Sequence, residues 1–287
     1  MLGCKGQKLK ILVLGSTGLL GNTVLRVLSE KTSLDVFGTV RTECSALHLK
    51  NIFTGVDIQD DSKVLDVFAS IHPDVVINCI GATKHKDEGN QPINAIKLNA
   101  LFPHRLAQIC NLMGSRLIHI STDCVFSGKN GFYTESDQPD ADDIYGKSKA
   151  LGEVLYGDVL TIRTSTIGHE LNTNYGLLNW FLSQENRCKG FKNAIFSGLP
   201  AVVLAQVIRD HILNNRALKG LYHVAAAPIN KYDLLKLIAE VYGKKIDVEL
   251  DEDFIIDRSL DATKFNLATG FKVPNWPELI QTMYQYK

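Results

Sequence analysis

The chain has 287 residues, 45% of them hydrophobic, enough to bury the core of one large α/β domain or of a domain carrying a smaller lobe. Its 31 lysines and arginines balance 31 aspartates and glutamates, with no basic or acidic run. Neither a nucleic acid nor an anionic membrane surface is therefore an expected partner, and any phosphate recognition has to be local. The six cysteines lie far apart without a Cys-x-x-Cys pair, residues 1–10 are too short and polar for a signal peptide, and the longest apolar runs are strand-sized. No metal site, disulfide framework or membrane span is expected, and the expected location is the cytoplasm.

Ile11 to Gly21 is an apolar run ending in three glycines spaced three apart, Gly15, Gly18 and Gly21, followed at once by a helical pattern through Val24, Leu25, Val27 and Leu28. The pattern predicts a strand buried on both faces, a tight turn and a helix start, where a backbone without side chains can approach a pyrophosphate. Any strand-to-helix turn of an α/β domain fits this spacing as well, so the surrounding chain has to decide. Gly15, Thr17, Gly18, Leu19, Leu20 and Gly21 are the cofactor-binding candidates here. A second strand, Leu34 to Val40, ends without a carboxylate and is followed by Arg41, which favours NADP(H), whose 2′-phosphate suits a guanidinium, over NAD(H) as second choice. A solvated Arg41 is the other reading.

After a short apolar piece at Ile52-Phe53, Asp57 and Ile58 are further cofactor candidates. Asp61 is expected to cap a helix with Val64, Leu65, Val67, Phe68 and Ile71 on its apolar face, ended by Pro73. Asp74 to Ile80 reads as a buried strand running into Gly81, Ala82 and Thr83, where the glycine lets backbone pass close to a cofactor. Lys84, His85 and Lys86 follow; a solvated loop is the expectation, with Lys84 kept as a substrate candidate. Asn94 to Met113 reads as a long helix with Pro103 marking a kink, and Arg116 to Ile120 as a strand that delivers Ser121-Thr122-Asp123 to its carboxyl end, where open parallel sheets bind ligands.

Residues 127–143 read as an irregular loop, Tyr145 to Tyr156 as a helix and Val159 to Arg163 as a strand. The alternation then breaks down, with a polar loop from His169 to Asn174, a helix near Leu177 to Ser183 and a lysine-containing loop at 187–193. Ala201 to Leu213 reads as a helix, Leu221 to Val224 as a strand, and Lys231 to Tyr242 and Trp276 to Tyr286 as helices. The expected fold is α/β: a doubly wound, Rossmann-type parallel sheet from residues 1–165 and 199–222, with a smaller substrate lobe from 166–198 and 223–287.

Tyr145 and Lys149 stand at i and i+4, on one helix face a turn apart. A neighbouring ammonium favours a phenolate, so the pair can serve as a proton donor near neutrality. A surface helix with a half-buried tyrosine carries the same spacing, but here Thr122 at a strand tip and the glycine turn precede it.

Gly15-x-x-Gly18-x-x-Gly21, Ser121-Thr122-Asp123 and Tyr145-x-x-x-Lys149 together resemble the extended short-chain dehydrogenase/reductase family. Within it, the segments from His119 to Gly128, Ile144 to Glu153 and Ile162 to Ser165 are similar to the dTDP-4-dehydrorhamnose reductase branch. The resemblance covers nearly the whole chain, strongest from 9 to 165. It implies a parallel sheet with a small C-terminal substrate lobe, Thr122 bonding the substrate oxygen, Tyr145 giving the proton and Lys149 holding the nicotinamide ribose. It also implies a nucleotide-sugar substrate in carbohydrate biosynthesis, with a homodimer as candidate assembly. Cys124 and Thr166 stand where the branch usually has tyrosine and tryptophan, and its late Arg-Pro-x-x-Ser element appears only around Arg258, so the sugar and its nucleotide are left open. Substrate candidates are Lys84, Asp123, Cys124, Thr166, Trp180 (a base-stacking or a core residue), and Lys189, Lys192 and Arg258 as a diphosphate clamp. Cys124 after Asp123 speaks against a dehydratase, which needs an acid and a base side by side. An epimerase and a non-catalytic subunit of the methionine adenosyltransferase type are the alternative functions.

Overall fold

Strand β1 (Leu9–Leu14) is solvent-free from Ile11 onward, as an apolar run must be when helices cover both faces of its sheet. In this computed structural model, which describes residues 8–44, 50–82, 91–171 and 173–287, the chain continues through α1 (Leu19–Ser29), β2 (Leu34–Thr39), β3 (Ile52–Phe53), α2 (Asp61–Ile71) and β4 (Val75–Asn78). Helix α2 is capped by Asp60, whose side chain accepts from Ser62 N, with Asp61 one residue inside the helix. A long helical stretch follows, α3 (Pro92–Ala95), a π turn (Ile96–Leu101) and α4 (Phe102–Met113), before β5 (Arg116–Ile120). Pro103 explains the π turn. Its ring clashes with the carbonyl four residues back and it offers no amide, so the turn before it widens.

Helix α5 (Ile144–Leu151) is capped by Asp143 and leads to β6 (Val159–Arg163). It stops at Leu151, short of the expected Tyr156. Gly152 lies against the carbonyl of Asn99, where any Cβ would collide, and the chain turns Glu153 inward. Next come β7 (Thr166–Ile167), α6 (Leu177–Ser183), β8 (Arg187–Phe191), β9 (Ala194–Phe196) and β10 (Leu199–Pro200). Then α7 (Ala201–Val207) runs into a second π turn (Ile208–Ile212), followed by β11 (Gly220–His223), β12 (Ile229–Asn230) and α8 (Lys231–Tyr242). The chain closes with β13 (Asp247–Asp251), β14 (Ile256–Asp257), α9 (Thr263–Thr269) and α10 (Trp276–Gln285). The expected loop at 187–193 is mostly strand: β8 pairs in parallel with β13, about sixty residues away in sequence.

The main sheet has seven parallel strands in the order β11-β6-β5-β4-β1-β2-β3. Strand order reverses between β1 and β4, and the crevice outside the strand carboxyl ends at such a point is where doubly wound sheets bind ligands. One face is packed by α2 and α4 through Val64, Phe68, Phe102 and Leu106. On the other, a single apolar cluster runs from β1 and α1 through α7 into α8 and Trp276, Leu279, Ile280 and Met283 of α10, so sheet and C-terminal segment share one core. Among the described residues no helix is long and apolar enough to cross a membrane.

Candidate active site

Three strand ends meet at the switch point. After β1, Gly15 takes φ +84°, and a Cβ on Gly21 would run into the Gly15 carbonyl, so α1 begins hard against the turn. No side chain caps α1, which leaves its leading amides to an anion. Beside this turn a cavity of about 230 Å³ is lined by Gly15, Thr17, Gly18, Val40, Arg41, Asp57, Ile58, Gly81 and Ala82. Leu19 and Leu20 face the larger cleft next to it. The glycine cradle, the exposed helix start and a guanidinium at the tip of β2 fit a dinucleotide with a 2′-phosphate. Thr83 and Lys84, with His85 and Lys86, lie outside the described residues.

After β4 the wall is held by a residue that spacing alone did not single out. Asn99, fully buried in the π turn, donates to the Ala82 carbonyl (3.1 Å) and to Ser148 Oγ (3.1 Å) and accepts from the Ala82 amide (2.8 Å). It ties the cofactor wall to the helix bearing Tyr145 and Lys149. A polar residue on an otherwise packed helix face near a proline was the available signal.

After β5, Thr122, Asp123, Cys124, Tyr145 and Lys149 line one cavity of about 260 Å³. Thr122 Oγ1 accepts from the Cys124 amide (3.2 Å) and bonds Asp123 Oδ1 (3.1 Å). Lys149 donates to the Ile120 carbonyl (2.7 Å), and burial brings its pKa down to about 8 against the opposing charge of Glu153. Glu153 is itself fixed by Ser121 Oγ (2.8 Å) and by a buried two-point pair with Arg163 (2.7 and 2.8 Å). The Tyr145 phenol is pushed up, not down: burial dominates, Cys124 and Asp123 add to it, and a Thr122 hydrogen bond opposes it. Burial also raises the Asp123 carboxyl and holds His119, beneath the site on β5, well below its usual value, with Nδ1 3.1 Å from Asn78 Nδ2.

A cleft of about 970 Å³ opens from this cavity toward the lobe, sharing Leu20, Asp123, Cys124 and Thr166 with it. Arg258 lines it while donating from Nε to the Phe126 carbonyl (2.8 Å), with Nη1 3.6 Å from Cys124 Sγ. Trp180, Lys189 and Lys192 do not line it. Trp180 lies at the surface, 36% exposed, while Lys189 pairs with Asp251 (2.9 Å) and Lys192 with Asp233 (3.3 Å). The cleft instead presents Lys231, Tyr175 and Phe254, which the spacing of the chain does not mark.

A doubly wound sheet with a glycine cradle at its switch point and a Thr, Tyr and Lys cavity beside it defines a dinucleotide-binding protein of the short-chain dehydrogenase/reductase class. The chain belongs to the RmlD substrate binding domain family, which it matches over residues 9–286. It is 26% identical over 302 residues to dTDP-4-dehydrorhamnose reductase of Aggregatibacter actinomycetemcomitans, covering 96% of this chain and 99% of that one. It is 36% identical over 148 residues to the probable low-salt glycan biosynthesis reductase Agl14 of Haloferax volcanii; that match spans 51% of this chain and about half (48%) of the relative. Among solved structures, dTDP-4-dehydrorhamnose reductase of Bacillus anthracis in complex with NADP superposes with a TM-score of 0.81 at 22% identity, over 98% of this chain and all of that one.

Proposed function

We propose that the protein is an NADPH-dependent reductase of a nucleotide-linked 4-keto-6-deoxysugar, acting in carbohydrate biosynthesis. The observation that carries this reading is the single cavity holding Thr122, Tyr145 and Lys149 next to the glycine cradle and open to a cleft large enough for a nucleotide sugar. When bound, NADPH supplies the hydride for the C4 carbonyl. As that oxygen gains charge, hydroxyls of Thr122 and Tyr145 already in the cavity stabilise the transition state more than the ground state, and Tyr145 gives up its proton to make the alcohol. Lys149, anchored on β5, holds positive charge beneath the reacting groups. Arg41 would receive the 2′-phosphate, and Gly15 to Gly21, Asp57, Ile58 and Gly81 to Ala82 the rest of the cofactor. Asp123, Cys124, Thr166 and Arg258, with Lys231, would face the substrate. A cytoplasmic location and a homodimer complete the proposal.

Screening 4-keto nucleotide sugars for NADPH oxidation tests it; turnover with one of them is expected. A second reading, a non-catalytic subunit, is favoured by 26% identity over 82% of this chain to methionine adenosyltransferase 2 subunit beta of Danio rerio. Absence of NADPH oxidation with every keto sugar, alongside stable capture of another enzyme, would select that reading.

A further inference from the structure

Asp123 lines the cavity of the reacting groups on its substrate side, and neither the hydride nor the proton of the reduction passes through its carboxyl. It is 7% exposed, and among the described residues it takes part in no salt bridge. The charged and titratable groups around it come from every neighbouring element: Cys124 from its own turn, Tyr145 from α5 and Arg258 from the segment after β14, with Glu170 and Lys231 across the cleft. Arg258 is the cation whose charge lowers it, with Nε committed to the Phe126 carbonyl and Nη1 facing the Cys124 sulfur, and Lys149 lines the same cavity. A carboxyl removed from water and held in no ion pair favours its neutral form, and burial raises this one against the opposing charge of Arg258. The side chains of Cys124, Thr122 and Ser165 hydrogen-bond it and oppose that rise, and Thr122 Oγ1 lies 3.1 Å from Asp123 Oδ1 while also accepting the Cys124 amide.

Thr122 has one hydroxyl proton, and the Asp123 carboxyl, the Tyr145 phenol oxygen and the incoming substrate oxygen compete for it. If Asp123 is a carboxylate it accepts that proton, the Thr122 oxygen has nothing left to offer a substrate oxygen, and an anion stands beside a carbonyl about to become anionic. If Asp123 is a carboxylic acid, it donates to Thr122 Oγ1 and the hydroxyl proton turns outward. We propose that Asp123 is a positioning residue whose protonated form turns the Thr122 hydroxyl from its own carboxyl toward the substrate oxygen. The proposal rests on the reductase reading. No proton is consumed at Asp123: each turnover uses one hydride from the cofactor and one proton from Tyr145, breaks the carbonyl π bond and leaves an alcohol and oxidised cofactor. The Asp123–Thr122 chain only reorients hydrogen bonds.

The test is the pH profile of kcat/KM with a 4-keto nucleotide sugar and NADPH for the parent, Asp123→Asn and Thr122→Val. The parent is expected to lose activity in a limb as Asp123 ionises with rising pH, separate from the fall set by Lys149 near pH 8. Asp123→Asn, whose amide still donates to Thr122 but cannot titrate, should lower the low-pH plateau about tenfold and abolish that limb while keeping the one near pH 8. Thr122→Val should also lack the limb, from a plateau about a hundredfold down, and it carries the test if Asp123→Asn does not fold. A limb that persists in either variant, or a loss in Asp123→Asn by one factor at every pH, overturns the proposal. Infrared difference spectra on the acid side of that limb separate this from the reductase reading. A protonated-carboxyl band lost in Asp123→Asn and shifted in Thr122→Val supports the pairing even if no keto sugar is reduced, a failure that would count against the reductase reading alone; absence of the band overturns the pairing whatever the substrate.

Discussion

Tyr145 and Lys149 divide their work differently from what spacing suggests. The ammonium does not pull the phenol down; it bonds the Ile120 carbonyl and sits in the field of Glu153, while burial, above all, keeps the phenol protonated. A protonated phenol at neutral pH is the form needed to give a proton to an alkoxide. Tyr145→Phe removes only that hydroxyl, and turnover should fall about a hundredfold, or about 3 kcal/mol, while NADPH fluorescence titration stays at the parent affinity. Parent-like turnover would move the proton donor elsewhere. Lys149 sets a second pH dependence. Its folded pKa, about 8, lies below the ordinary 10.5, so between those values the unfolded chain holds the extra proton and this residue's contribution to stability grows as pH rises. Activity should run the opposite way, falling as the ammonium is lost above about pH 8, and Lys149→Met should lack that fall and bind NADPH more weakly.

At the scale of elements, the site depends on one irregular turn and one glycine. The π turn brings Asn99 inward to fasten the backbone of Ala82 and the hydroxyl of Ser148, and Gly152 lets α5 end flush against the Asn99 carbonyl. Asn99→Ala leaves buried backbone groups without partners, at about 1–3 kcal/mol for each group. Urea unfolding should show a loss in that range, and NADPH affinity should fall with it because the cofactor wall loosens. A variant that lost stability at unchanged affinity would show that Asn99 serves packing alone. Beneath the same helix end, the Glu153–Arg163 pair is almost solvent-free and stacks against Phe126, the guanidinium carbon 4.9 Å from the ring centroid. Removing one member strands the other's charge, so Arg163→Met should cost about 3–5 kcal/mol.

At the scale of the whole molecule, the polar strap around residues 256–261 and the loop at 127–143 close the lobe onto the sheet edge. Tyr133 stacks on Phe126 with centroids 4.0 Å apart, exchanges backbone bonds with Ser259 and Asp261, and receives His223 Nδ1 at its carbonyl (3.1 Å). Burial, reinforced by Arg163, takes His223 from 6.5 down to about 4. The folded pKa being the lower one, the unfolded chain takes up the proton first as pH falls, and stability drops across the window from 6.5 to about 4 by about 3 kcal/mol from this residue. His223→Gln should flatten that part of the stability curve in urea titrations across that window; a curve parallel to the parent's would refute the assignment. The cofactor preference is also a property of the assembled molecule, because Arg41 reaches the cavity only through the β2 tip. Arg41→Ala should weaken NADPH about tenfold or more and leave NADH nearly unchanged; equal weakening of both would remove Arg41 from the 2′-phosphate site.

The sequence by itself determined the sheet and the class of chemistry. Short apolar runs without alternation, bounded by turn residues, read as strands covered on both faces, glycines three apart at the end of the first one fit a tight turn into a helix, and Tyr145 and Lys149 share a face because a helix repeats every 3.6 residues. These are local constraints, legible residue by residue. What the tertiary structure alone decided is non-local. Lys189 alternates with buried neighbours in β8 because β13, about sixty residues on, supplies its partner strand, and the same pairing takes Lys189 to Asp251 and away from the cleft. Lys231, Tyr175 and Phe254 reach the cleft from three separate segments, and the charge on Lys149 and Asp123 follows from how much water each has lost. No spacing rule carries that information, because partner strands, cleft walls and desolvation are set by residues far apart in the chain that meet only once it has folded.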